Sequence, residues 1–294
     1  MILVVGATGL LGTEICRALR QRGKAVRALV RSTASEKAGQ LASQGIELAV
    51  GDLKDPESLQ RACQGASVVI STASSTLSRQ AGDSIETVDR RGQLSLVDAA
   101  RSAQVGRFVF VSIAGDIKFP SPLTAAKQEV EQRLVQSGLP YTILNANWFM
   151  EVWLSPALGF DYPNRRARIY GAGDHPLSFV SYKDVAKFAV ESVDAAAAEN
   201  RILDIAGPEP VSQLEAVRIF ERASGSQFAL EYVTEESLQQ QWNQATDPMA
   251  RTFAALMLDY AAGNVVDPAE SLKVVPLQLA TVRDYANSVT SVRV

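Results

Sequence analysis

The chain has 294 residues, 47% hydrophobic and 21% charged, with a formal net charge of −3. That length and composition exclude a disordered or fibrous chain and point to one compact body with a large core. The Lys and Arg residues are scattered rather than gathered into a stripe, which argues against nucleic acid as a partner and for small-molecule ligands.

In chain order, short apolar runs near residues 2–5, 25–30, 46–50, 67–72, 107–112 and 140–144 alternate with longer amphipathic or polar stretches. This is the rhythm of strand–helix–strand units. Runs such as Phe108-Val109-Phe110-Val111 lack polar alternation, so they are expected to be covered on both faces. The pattern predicts an α/β fold with a doubly wound parallel sheet, and ligand chemistry at the carboxyl ends of its strands. Asp55-Pro56 reads as a helix start, and Gly138-Leu139-Pro140 stops the helix expected from about Ser121 to Ser137. After residue 145 the pattern turns irregular, with Pro156, Pro163, Gly171, Gly173 and Pro176 preceding a helix near Lys183–Val193. Residues 1–145 are therefore assigned to the core and 146–294 to a smaller, mixed substrate-side lobe, with about 182–206 expected to return to the main sheet. Cys16 and Cys63 sit in apolar helical patterns and read as core residues; no metal site is expected. The first strand begins at Ile2 and no apolar run reaches spanning length, so a soluble cytoplasmic protein without a membrane span is expected.

The strongest motif is Gly6-Ala7-Thr8-Gly9-Leu10-Leu11-Gly12, placed directly after the first strand and opening the first helix. Gly6 permits the tight turn, Gly9 lets backbone approach a pyrophosphate, and Gly12 lets helix pack on strand. The uncapped N–H groups of the helix then face the phosphates. Thr8 serves either as the helix cap or as a phosphate ligand. In this context the glycines predict dinucleotide binding on a Rossmann fold. The second strand ends at Arg31-Ser32, where an NAD-selective protein offers a carboxylate. A guanidinium and a hydroxyl there favour the 2′-phosphate of NADP(H). Asp52, beside Leu53 after the third strand, reads either as an acceptor for the adenine amino group or as a turn aspartate. Thr72-Ala73-Ser74 ends the fourth strand with small residues suited to a neighbouring cofactor.

Together with Leu29-Val30-Arg31, Gly51-Asp52, Phe110-Val111-Ser112, the run from Lys127 through Leu144, Phe149-Met150, Asp184-Val185-Ala186 and Ala206-Gly207-Pro208-Glu209, these features resemble the NmrA-like and isoflavone-reductase-like branch of the atypical short-chain dehydrogenase/reductase superfamily. The resemblance covers most of residues 1–225. It implies NADP(H) binding and a substrate cleft over the nicotinamide, with Ser112 in the position of the superfamily's serine. Lys127 shares an apolar helix face with Val130 and Leu134, where a lysine requires a partner; the nicotinamide ribose is the expected one. The superfamily's usual tyrosine, four residues before this lysine, is replaced by Leu123. Ordinary carbonyl reduction is weakened by that loss, whereas hydride transfer to a quinone, with solvent supplying protons, is not. A second departure is Asn145-Ala146-Asn147, where relatives carry arginine, proline and glycine. Asn147 is expected to assist polar contacts, while Trp148, Phe149 and Met150 either line a cleft for a flat substrate or belong to the core. His175, the sole histidine, lies in a loop and is a weak candidate proton donor. Two functional readings stand: an NADPH-dependent reductase of a quinone or enone, and a non-catalytic NADP(H) sensor or assembly factor with a protein partner.

Overall fold

Alternate residues of the first strand, β1 (Ile2–Val5), enter opposite hydrophobic layers: Ile2 and Val4 one, Leu3 and Val5 the other. A strand buried on both faces needs helices above and below, and the chain supplies them. The computed structural model describes residues 1–78, 80–113 and 117–290. After β1 come α1 (Leu10–Gln21), β2 (Val26–Val30), α2 (Glu36–Ser43), β3 (Glu47–Val50), α3 (Pro56–Cys63) and β4 (Val68–Ser71). A π-helical segment, Ile85–Gly92, runs straight into α4 (Gln93–Ser102), followed by β5 (Arg107–Ile113), α5 (Pro122–Gln136) and β6 (Tyr141–Ala146).

The second half contributes α6 (Met150–Trp153), β7 (Phe160–Asp161), β8 (Arg166–Tyr170), β9 (Pro176–Leu177), α7 (Tyr182–Glu191) and β10 (Arg201–Ile205). It ends with β11 (Val211–Ser212), α8 (Gln213–Ser224), β12 (Ala229–Val233), α9 (Glu235–Gln244), α10 (Pro248–Ala262), α11 (Ala269–Val274) and α12 (Val282–Thr290). The final stretch assigned to the lobe, 291–294, lies outside the described residues.

The main sheet has the order β10-β6-β5-β4-β1-β2-β3 with every pair parallel. Strand order reverses beside β1, which places a crevice at the carboxyl ends of β1 and β4. Ile15, Leu19, Leu41 and Phe188 of α1, α2 and α7 cover one face; Leu59, Leu96, Val130 and Leu134 of α3, α4 and α5 cover the other. β10 joins this sheet beside β6, and α7 packs on α1. Buried Arg107 fastens this return, donating to the carbonyls of Ser192 and Ala195 at 2.7 and 2.8 Å and to Glu199 at 2.7 Å. A separate aromatic-rich core gathers Trp148, Phe160, Phe179, Phe220 and Tyr260 in the second half. Among the described residues no helix is long and apolar enough to cross a membrane.

Candidate active site

The glycine turn is shaped by clashes that only glycine avoids. Gly6 has φ +83°, and a Cβ there would lie 2.7 Å from Thr72 Oγ1 and 2.8 Å from the Ala73 nitrogen. A Cβ on Gly12 would sit 2.2 Å from the Gly6 carbonyl oxygen, so this glycine allows α1 to start against β1. Gly9 differs: its Cβ would meet only the Gly6 oxygen, at 3.2 Å, and the residue is exposed. Gly9 is also the N-cap of α1 and no side chain caps the helix, which corrects the reading of Thr8 as the cap. No side chain bonds the backbone N–H groups at this exposed helix start, an arrangement that suits a pyrophosphate. Leu10 stands exposed at the crevice while Leu11 is buried beneath it. Lys37 of α2 reaches the loop and donates to the Thr8 carbonyl at 3.1 Å.

At the far end of the crevice, Arg31 Nη1 donates to Asp83 at 2.6 Å. Ser32 accepts from the Ala34 backbone at 3.2 Å. Asp52 Oδ1 accepts from the Lys54 backbone at 2.8 Å, which makes it a turn aspartate, and Leu53 is buried in the core beneath it. Thr72 Oγ1 donates to the Val5 carbonyl at 3.3 Å, closing the floor between β1 and β4. The Ala73 carbonyl accepts from Gln93 at 3.0 Å, and Ser74 pairs with Thr76 at 3.3 Å.

Beyond β5 lies a polar cavity of about 280 Å³. Strand register builds its floor: Ser112 pairs with Asn145, and Asn145 with Asp204, so one row of polar side chains faces α5 where the row below, Phe110 and Ile143, is apolar. Lys127 and Glu131, one turn apart on α5, form the wall. The Lys127 ammonium donates to the Val111 carbonyl at 3.0 Å and lies 5.1 Å from the Phe110 ring centroid. Burial holds its pKa below the ordinary 10.5, partly opposed by the Asp89 and Glu131 carboxylates. Ser112 donates to Glu131. Asp89, buried on the π-helical segment, accepts at Oδ2 from the Ser75 nitrogen at 2.9 Å and hydroxyl at 2.5 Å, while its buried Oδ1 has no partner among the described residues.

A family model described as the NmrA-like family matches residues 1–286. The chain belongs to this family. An isoflavone reductase homologue, IRL of Zea mays, is 32% identical across 97% of each chain, which places it in the isoflavone-reductase-like branch of the atypical short-chain dehydrogenase/reductases. The photosystem II assembly factor Ycf39 of Cyanophora paradoxa is also 32% identical, over 76% of this chain and 68% of its own. In fold the chain resembles an NADPH-dependent quinone oxidoreductase, QOR2 of Escherichia coli, solved with NADPH: the TM-score is 0.80 at 24% identity, covering 98% of this chain and 99% of that one.

Against this family background, Ser112 and Lys127 share the cavity, but other expected members do not join them. Asn147 is held elsewhere, donating to Asn264 at 3.1 Å and accepting from the Trp148 nitrogen at 3.0 Å; the register gives the cavity Asn145 instead. Trp148 and Met150 are buried in the aromatic-rich core, with the Trp148 ring edge-on to Trp153 and Tyr260. Phe149 packs partly buried against the first core and bridges to Val180. His175 is exposed in its loop and lies outside the cavity lining. Leu123 is buried with Ile85 and Ala126, so an apolar contact fills the helix position four residues before Lys127. Lys37, Lys54, Asp83, Asp89, Glu131 and Asp204 were missed. Only Glu131 carried a local signal, its i+4 spacing from Lys127.

Proposed function

We propose that this protein is an NADP(H)-dependent reductase acting on a small conjugated acceptor such as a quinone or enone. The observation that carries the reading is the uncapped start of α1 at Gly9, open to the crevice beside a switch point whose other side holds Ser112 and Lys127. Gly6, Gly9 and Gly12 with the α1 N–H groups would hold the pyrophosphate, Arg31 and Ser32 the 2′-phosphate, and Thr72 to Ser74 the cofactor's passage across β4. Bound there, the nicotinamide would supply a hydride.

The chain's own residues position and polarise. Lys127 is fixed by Val111 and keeps its remaining N–H groups for ribose or substrate oxygens. Ser112, oriented by Glu131, offers a second polar contact. With Leu123 in an apolar cluster, no hydroxyl stands four residues before Lys127 to deliver a proton. Acceptors whose reduced form can take its proton from water are therefore favoured, quinones and enones over isolated ketones. The relatives named as an isoflavone reductase homologue and a quinone oxidoreductase support this direction. The test is NADPH oxidation with a quinone and enone panel. Lys127→Met should lower kcat at least about tenfold, the scale of a lost charge-assisted contact, with Tm nearly unchanged. Normal turnover in that variant would remove Lys127 from its role.

A second reading, a protein-assembly role with or without turnover, is favoured by the Ycf39 likeness alone. A stable protein partner recovered together with an inert acceptor panel would select it.

A further inference from the structure

The glycine cradle uses none of the charge at the far end of the crevice, where the loops after β2, β3 and β4 converge. Asp83 lies there with 3% of its side chain exposed, while its partners Arg31 and Lys54 are 40% and 27% exposed. Its Oδ2 accepts from Arg31 at 2.6 Å and from Ser78, and its Oδ1 accepts from Lys54 Nζ at 2.5 Å. Lys54 also donates to the Ala81 carbonyl at 3.4 Å and lies 3.7 Å from Asp52. Burial alone would raise the Asp83 pKa, but the hydrogen bonds from Lys54, Ser78 and Arg31 outweigh it and hold the group at about 2, so it is ionised at neutral pH. Two cations therefore converge on one carboxylate, with the carboxylate inside and the cations toward solvent. Asp52 adds only a longer contact to Lys54, and both cations stay partly exposed; a phosphate monoester would bring them roughly −1.5 to −2 and three acceptor oxygens.

Resting on the NADP(H) reading above, we propose that Lys54 joins Arg31 as a second cation for the cofactor's 2′-phosphate, and that Asp83 is the internal anion that holds both in place and limits how tightly that phosphate binds. Lys54 sets selectivity for the phosphorylated cofactor because it brings a second cation, from the β3 loop, to the other oxygen of the carboxylate that holds Arg31. Asp83 acts in the reverse sense, since its charge repels the incoming phosphate at the same atoms that attract it.

The experiment is equilibrium titration of the full chain with NADPH, NADH and 2′,5′-ADP, using wild type, Lys54→Met and Asp83→Asn, with Tm measured for each. Lys54→Met should weaken NADPH and 2′,5′-ADP about tenfold or more while NADH stays near wild type, as expected for loss of one charge-assisted phosphate contact. Asp83→Asn should tighten both phosphorylated ligands about three- to tenfold, with NADH again unmoved. Lys54→Met decides the matter if Asp83→Asn does not fold. A wild-type NADPH-to-NADH ratio in Lys54→Met overturns the clamp while leaving NADPH binding intact. Weaker phosphorylated-ligand binding in folded Asp83→Asn overturns the competing-anion role. Failure of the wild-type chain to bind any of the three overturns both this inference and the reading beneath it.

Discussion

Gly9 and Gly12 belong to one motif but have different surroundings, and replacing each by alanine separates packing from the proposed phosphate role. At Gly12 the added methyl would lie 2.2 Å from the Gly6 oxygen and 2.9 Å from the Ala7 Cα, backbone atoms that cannot rotate away. Forcing helix from strand at such a contact costs about 3 kcal/mol, the upper end for overpacking. At roughly 2–4 °C per kcal/mol for a chain of this size, Tm falls by about 6–12 °C. At Gly9 the methyl meets one oxygen at 3.2 Å, with φ −79° already allowed to alanine. The cost there is about 1 kcal/mol or less, that of a poorer N-cap. Yet the same methyl projects into the space a pyrophosphate needs, so NADPH affinity falls at least about tenfold, or 1.4 kcal/mol. Thermal unfolding by circular dichroism and NADPH fluorescence titration on both variants give the two numbers. A Gly9→Ala protein that is folded and binds NADPH like wild type would refute the assignment of this turn to phosphate.

Two further perturbations probe the frame around the site. Arg107→Met strips the hydrogen bonds at Ser192, Ala195 and Glu199 and leaves buried carbonyls unpaired, so stability drops by about 2–4 kcal/mol in urea unfolding with nucleotide affinity unchanged; an unaltered midpoint would contradict the role given to that anchor. Asp259 on α10 accepts from the Lys118 and Phe119 nitrogens at 2.9 and 3.3 Å, and burial, only partly offset by these donors and the Lys118 charge, raises its pKa from 3.8 to about 6. Between those values the folded state holds more protons than the unfolded one, so this group's contribution to stability declines as pH rises from about 4 to 6. Asp259→Asn should raise Tm at pH 7.5 and flatten that interval, and a lower Tm at pH 7.5 would show that the carboxylate is needed ionised.

The parts of the site that the sequence disclosed are those built within a few residues of chain. Gly6, Gly9 and Gly12 occupy one strand-to-helix turn, and their spacing between an apolar strand and an amphipathic helix marks the cradle in the sequence. Lys127 was marked by the face it shares with Val130 and Leu134. What stayed hidden depends on register and on distant chain. Asn145 and Asn147 have the same parity, and only the pairing of Ser112 with Asn145 and Asn145 with Asp204 shows which of the two reaches the cavity. Trp148 and Met150 sit beyond a strand end where aromatic and apolar residues suit cleft and core equally; the second core, with Tyr260 more than a hundred residues later, decides for packing. Asp83 has no signature of its own, since its partners Arg31 and Lys54 come from two other loops.

The central claim is that the crevice beside β1 holds NADP(H), and nicotinamide fluorescence on titrating the purified chain with NADPH, repeated with Arg31→Asp, tests it most directly. The account predicts saturable binding that prefers NADPH to NADH in the wild type and loses that preference in the variant. Absence of saturable binding by either nucleotide would contradict it and leave the Ycf39-like role in assembly as the better description of the fold.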